Sequence, residues 1–198
     1  IYTLSLHDAL PIYQPAAEEP RLAALEYSDY LFNTHYLPPP AAAKRRKRAK
    51  RYDDFFRDTP RFFHRWRQPE KKLRIGYISP DFRHHVVLRF CRALLTAYDR
   101  ENFEVYAYMN TPEDEESRAL ARRVDGWCNI SGWGAAEAAR RIYEDGVDIL
   151  VDLAGHTRGN ALPVLAYKPA PVEVSGIGYF ASTGLRLVDR KSVGRERV

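Results

Sequence analysis

From Leu73 onward the chain alternates short apolar runs with amphipathic stretches, and this alternation constrains the fold more than any other feature. LRIGYIS (73–79) is an apolar run closed by Pro80, the pattern of a buried strand. Val87, Phe90, Cys91, Leu94, Leu95 and Tyr98 follow at helical spacing and predict one apolar helix face. FEVYAYM (103–109) reads as a second strand. Thr111-Pro112-Glu113-Asp114 then reads as a helix start, with a capping hydroxyl, a first-position proline and acids in the first turn. Leu120, Val124 and Trp127 supply its apolar side, and WCNI is a brief third strand. Ala135, Ala138, Ala139 and Ile142 stripe the next helix, which Gly146 stops. VDILVDLA (147–154) is nearly continuously apolar, as a strand buried on both faces must be. A short helix over 160–167 and a last strand, VEVSGIG, complete the series. Repeated strand–helix alternation with short connections predicts an α/β fold, a Rossmann-like doubly wound parallel sheet. Ligands bind such sheets at the carboxyl ends of the strands, where the loops converge.

Before Leu73 the organisation differs. Residues 20–37 mix apolar and polar residues at roughly helical spacing, and Pro38, Pro39 and Pro40 stop any helix. The run KRRKRAKR (44–51) and the aromatic groups YDDFF and RFFHRW follow. Residues 13–72 therefore read as a helical linker with aromatic anchors laid on a domain surface. The first twelve residues and the last nine (190–198) fit neither pattern and resemble translated adapter read-through, so both are expected to be non-native.

Hydrophobic residues make up 45% of the 198, which excludes global disorder. No apolar run is long enough for a transmembrane helix, and Cys91 and Cys128 form no metal or disulfide pattern. A reducing cytoplasm is the expected setting. The net charge of +5 is local, because residues 41–72 carry thirteen Lys or Arg against four acids. That local excess of nine leaves the remainder net negative by four. A solvated helix or linker face explains the run most simply, and nucleic-acid docking is the alternative.

Three carboxyl-end loops carry usable chemistry: SPDFRHH, GHTRGN and GYFASTG. His85 stands where its loop enters a helix, placed to act as a base or a phosphate ligand, while His84 and His85 together also read as plain surface residues. His156 and Thr157 lie between Gly155 and Gly159, in a loop open either to a ligand or to a simple capped turn. Neither GxGxxG at the first strand nor GxxxxGK[ST] occurs, which removes the dehydrogenase and ATPase signatures.

RIGYISPDFRHHVV, FEVYAY, RIYEDGVDILVDLAGHTRGN, LPVLAYKPAPVEVSGIGY and STGL together resemble the catalytic region of the O-GlcNAc transferase family, the bacterial Spindly-like type. The resemblance covers about residues 73–189. It implies the amino-terminal lobe of a GT-B glycosyltransferase that moves N-acetylglucosamine from UDP-GlcNAc to Ser or Thr of proteins. A second lobe and upstream tetratricopeptide repeats presenting protein substrates are expected to lie elsewhere, so this chain alone is expected to be inactive. The resemblance implies His85 as the active-site histidine, with Val86, Val87, Ile177 and Gly178 on the donor side. It implies His156, Thr157 and Arg158 in a loop near the acceptor. No metal or other cofactor, no membrane and no nucleic acid is expected, with UDP-GlcNAc as donor substrate. The readings left open are a nucleic-acid module using 44–51 and a related transferase with another sugar or an asparagine acceptor.

Overall fold

A computed structural model describes residues 20–36, 42–64, 72–188 and 190–191. The calls on the first twelve residues, on Pro38–Pro40 and on Trp66 lie outside these. The strands are β1 (Leu73–Ser79), β2 (Phe103–Met109), β3 (Gly126–Asn129), β4 (Ile149–Asp152), β5 (Val172–Ser175) and β6 (Arg190–Lys191). They form one sheet in the order β3-β2-β1-β4-β5-β6, with every pair parallel. The order reverses between β1 and β4, so the loops after these two strands flank the natural crevice. Arg190 and Lys191, placed with the tail by sequence, pair with Val174 and Ser175.

The helices are α1 (Pro20–Asn33), α2 (Ala42–Lys50), α3 (Val86–Thr96), α4 (Glu115–Ala121), α5 (Ala135–Glu144) and α6 (Leu162–Leu165), with 3-10 turns at Thr34–Tyr36 and Arg51–Phe56. On one face of the sheet α3 and α4 cover Tyr77, Val105, Ala107 and Met109. On the other face α1, α5, α6 and Tyr52 close over Ile78, Tyr108 and Leu150. The sheet is therefore the middle of three layers.

Several local expectations change. The segment read as a linker belongs to this core: Ala24, Tyr27, Leu31 and Tyr52 are buried in it, and Phe62 stacks on Tyr143 at 4.4 Å. Its apolar residues are dispersed in sequence, so no single stripe announces a packed helix. On α3 the buried residues are Val87, Leu88, Cys91 and Leu95, while Phe90 is 75% exposed and Leu94 46%. At about 100° per residue Phe90 falls nearly opposite Leu88, off the face the sheet selects. The strand expected over 172–178 ends at Ser175, because Ile177 adopts φ 72° and breaks the ladder.

The α4 cap is Asp114 rather than Thr111. Asp114 accepts from the Ser117 amide at 2.8 Å, and the Ser117 hydroxyl accepts from the Asp114 amide at 2.7 Å. The Thr111 hydroxyl instead donates to the Pro80 carbonyl at 2.7 Å. Asp114 also accepts from the His84 amide at 2.7 Å, and this bond, with those from the cap, lowers its pKa. Asp114→Ala is expected to cost about 1–2 kcal/mol in urea denaturation, the loss of one cap plus a loop tether.

Candidate functional site

The crevice side of the sheet is built by the loops after β1, β4 and β5, which pack directly on one another. A Cβ on Gly159 would stand 3.3 Å from Pro80, joining the β4 and β1 loops. A Cβ on Gly178 would stand 1.8 Å from the Leu153 carbonyl oxygen, so the β5 loop crosses β4 at a distance only glycine permits. Asp152 holds this crossing from beneath. It is fully buried and accepts from the amides of Ala154 (3.0 Å) and Gly155 (2.9 Å) and from the Ser175 hydroxyl (2.7 Å). Burial raises its pKa while these three bonds oppose the rise.

His85 is the N-cap residue of α3, in extended backbone geometry (φ −147°, ψ 152°). Its Nδ1 accepts from the Val87 amide at 3.3 Å and lies 3.5 Å from Asp81 Oδ1. An accepting Nδ1 leaves the ring proton on Nε2, so the imidazole ends in an N–H donor. Asp81 is buried, and burial raises its pKa against the pull of His85 and Arg83. His84 is exposed and engaged through its backbone only. The two neighbouring histidines thus separate into a loop tether and a cap.

The remaining sequence candidates divide. Val86 is exposed beside His85, whereas Val87 turns its side chain into the core and offers only its amide. Ile177 is 49% exposed at φ 72°, a left-handed conformation that a β-branched residue adopts only under constraint. Thr157 turns its hydroxyl back to the Ala154 carbonyl at 2.8 Å, and Arg158 is exposed.

His156 does not face the crevice. It is wholly buried, with Nε2 donating to the Thr183 carbonyl at 2.9 Å and Nδ1 accepting from the Ser28 hydroxyl at 2.7 Å. Asn160 completes the chain by donating to Ser28 at 3.0 Å. The ring sits edge-on to Tyr52 (4.7 Å) and Tyr179 (5.4 Å). Burial holds its pKa down at about 4, so it is a neutral bolt between α1 and the β5 loop. Gly155, expected to let a ligand approach the backbone, makes room for Tyr179 instead, whose Cβ a Cβ there would meet at 2.3 Å and whose ring at 2.5 Å.

Residues 52–192 match the family model of glycosyl transferase family 41. The chain belongs to that family. It is 38% identical over 128 residues to the probable UDP-N-acetylglucosamine–peptide N-acetylglucosaminyltransferase SPINDLY of Arabidopsis thaliana, covering 62% of this chain and 14% of that protein. It is 30% identical over 125 residues to the UDP-N-acetylglucosamine–peptide N-acetylglucosaminyltransferase of Caenorhabditis elegans, covering 62% of this chain and 11% of that protein. A lysine-to-methionine variant of Thermobaculum terrenum O-GlcNAc transferase superimposes with a TM-score of 0.81 at 29% identity, over 94% of this chain and 35% of that one. The family 41 chain thus spans about one seventh of the first of these curated relatives and one ninth of the second.

Within the family 41 chain, sequence reasoning missed Ser28, His35, Asp81 and Asp152. His35 faces the β5 loop, its Nε2 2.9 Å from the Tyr179 hydroxyl and its ring 4.6 Å from Phe180. The one legible signal was Asp152, a carboxylate ending an otherwise apolar strand. Among the described residues no group of three His, Cys, Asp or Glu could hold a metal ion, and no helix is long and apolar enough to cross a membrane. Both cysteines are buried free thiols.

Proposed function

We propose that the family 41 chain is the amino-terminal lobe of the catalytic region of a protein O-GlcNAc transferase. It binds UDP-N-acetylglucosamine along the carboxyl edge of its sheet, and a second lobe completes the site. The observation that carries this reading is His85, capping α3 at that edge and ending in an N–H. Relatives named as N-acetylglucosaminyltransferases share this region of the chain.

In the reaction, a serine or threonine oxygen attacks the anomeric carbon as the bond to the diphosphate breaks, with inversion. The leaving UDP keeps the electron pair, and the hydroxyl loses its proton. Negative charge therefore accumulates on the diphosphate. An α-helix N-terminus and a neutral imidazole N–H both stabilise such charge, and the reading assigns no metal. His85 Nε2–H is assigned to the diphosphate. The base role would require the proton to move to Nδ1, with Asp81 Oδ1 at 3.5 Å as its acceptor. Ile177, held at φ 72°, and Gly178 are assigned to the sugar end of the donor.

The test uses the complete transferase. His85→Ala is expected to lower kcat by about a hundredfold or more while costing the fold only about 1 kcal/mol. His85→Asn keeps a cap and an N–H donor but cannot act as a base. Substantial recovery with asparagine supports the diphosphate role. Equal loss in both variants, with unchanged UDP-GlcNAc affinity, assigns His85 as the base. Wild-type rates in His85→Ala would remove it from the site. The 198-residue chain alone is expected to transfer no sugar, read by radiolabelled UDP-GlcNAc and an acceptor peptide.

A further inference from the structure

Helix α2 is the feature that the donor site does not use. Seven of the eight residues 44–51 are Lys or Arg. Ala49 is buried, and Lys44, Arg46, Lys47 and Lys50 are exposed, so one side of the helix is packed and the other projects cations. Like charges three and four positions apart repel along a helix, and here no acid interrupts them. The two acids that follow are engaged, Asp53 by Arg186 at 2.5 Å and Asp54 by Arg57 at 2.8 Å. A helix of this kind is held in place by packing, and the cations on its exposed side are open to counter-charge from outside.

Its place in the fold gives the charge a purpose. A Cβ on Gly184 would stand 1.9 Å from the Ala49 carbonyl oxygen, so the end of α2 lies against the loop after β5. The Tyr27 hydroxyl donates to the Arg48 carbonyl at 2.9 Å and fixes the helix to α1. Burial, helped by Arg45, lowers the pKa of His35, whose ring packs on Phe180 of the same loop. Helix α2 therefore borders the carboxyl-end loop that carries Ile177 and Gly178 with its Ala49 side, and its exposed cations stand on the remaining sides.

We propose that the exposed face of α2 is a docking surface for an acidic segment of the acceptor protein, placed beside the hydroxyl to be modified. This inference rests on the transferase reading above. Nine helical residues rise about 14 Å, the reach of about four extended peptide residues, so the surface suits a short acidic stretch. Outside residues 41–72 the chain is net negative by four, so a nucleic acid leaving the basic segment would meet charge of its own sign. Of the aromatics next in sequence that could stack bases, Tyr52 is fully buried and Phe55, Phe56 and Phe62 are set against the core, which leaves Phe63 exposed.

The test is fluorescence anisotropy on the whole chain with three labelled probes. These are a serine peptide flanked by glutamates, its glutamine twin, and a short single-stranded DNA of matched charge. The glutamate peptide is expected to bind about tenfold tighter than its twin at low salt, from several exposed ion pairs. That preference is expected to vanish when Lys44, Arg46, Lys47 and Lys50 all become glutamine, with circular dichroism unchanged. Equal binding of the two peptides, or a preference that survives the four substitutions, overturns the proposal. DNA binding tighter than the glutamate peptide, and lost in the same variant, assigns the helix to nucleic acid instead. Sugar transfer by the complete enzyme separates the two readings. Equal kcat/KM for both peptides sinks the docking surface and leaves the transferase standing, whereas helix-dependent peptide binding without transfer does the reverse.

Discussion

Gly178→Ala is expected to destabilise the chain by more than about 3 kcal/mol, at the upper end of what single substitutions do. The added methyl group would stand 1.8 Å from the Leu153 carbonyl oxygen and 3.0 Å from its carbon. Backbone of a central strand cannot swing aside as a side-chain tip does, so either β4 or the β5 loop must move. The β5 loop is tied at Tyr179, which is buried against the His156 ring and lies 2.9 Å from His35 Nε2, so the strain spreads into the core. Gly134→Ala is the internal control, because nothing lies within 4 Å of a Cβ there. It is expected to change stability by no more than about 1 kcal/mol, the scale of an N-cap residue. Urea denaturation of both variants checks the contrast. A Gly178→Ala chain as stable as the Gly134→Ala chain would show that the loop crosses the strand less closely than described.

Acidification is expected to remove about 3 kcal/mol through His156 alone. Its pKa is about 4 in the folded chain against 6.5 for the ordinary side chain. Between these values the unfolded state binds the proton and the folded state does not, so stability rises with pH across the window. The contribution is complete above pH 6.5, falls as pH drops below it, and levels off below pH 4. Asp152 acts with the opposite sign, since burial raises its pKa and protonating it favours the folded state. The two are separated by comparing the native chain with His156→Gln, because Asp152 is present in both. The variant is expected to be less stable at neutral pH, having lost the bonds to Ser28 and Thr183, and its stability should vary less between pH 6.5 and 4. Parallel pH profiles for the two chains would mean that the imidazole titrates freely when folded.

The physical reason for this pH window also marks how far the sequence could be read. His85 was placed correctly at a strand-to-helix corner because Pro80 and the apolar run before it define that corner locally. His156 occupies an equally suggestive loop, between two glycines, yet serves the core. Its hydroxyl partner, Ser28, is 128 residues away, and no local spacing announces the pairing. Similarly, five of the six apolar positions read as one helix face lie on α3, but only the sheet decided that Phe90 and Leu94 would stay outside. The sidedness of KRRKRAKR was hidden for the same reason. Composition gave its charge, while the Ala49–Gly184 contact decided which side of the helix would be free.

The approximate positions of β1 to β5, the parallel α/β class and the corner at His85 follow from the sequence alone, because apolar runs, period-3.6 patterning and proline stops act over a few residues. The tertiary structure decided the orientation of His156, the need for glycine at 178 and 184, the pairing of β6, and the packing of residues 20–36 and 42–64 against the sheet. Each of these depends on atoms brought together from distant parts of the chain. Burial, hydrogen-bond satisfaction and steric exclusion act in space, and the order of residues along a chain does not show which of them will meet.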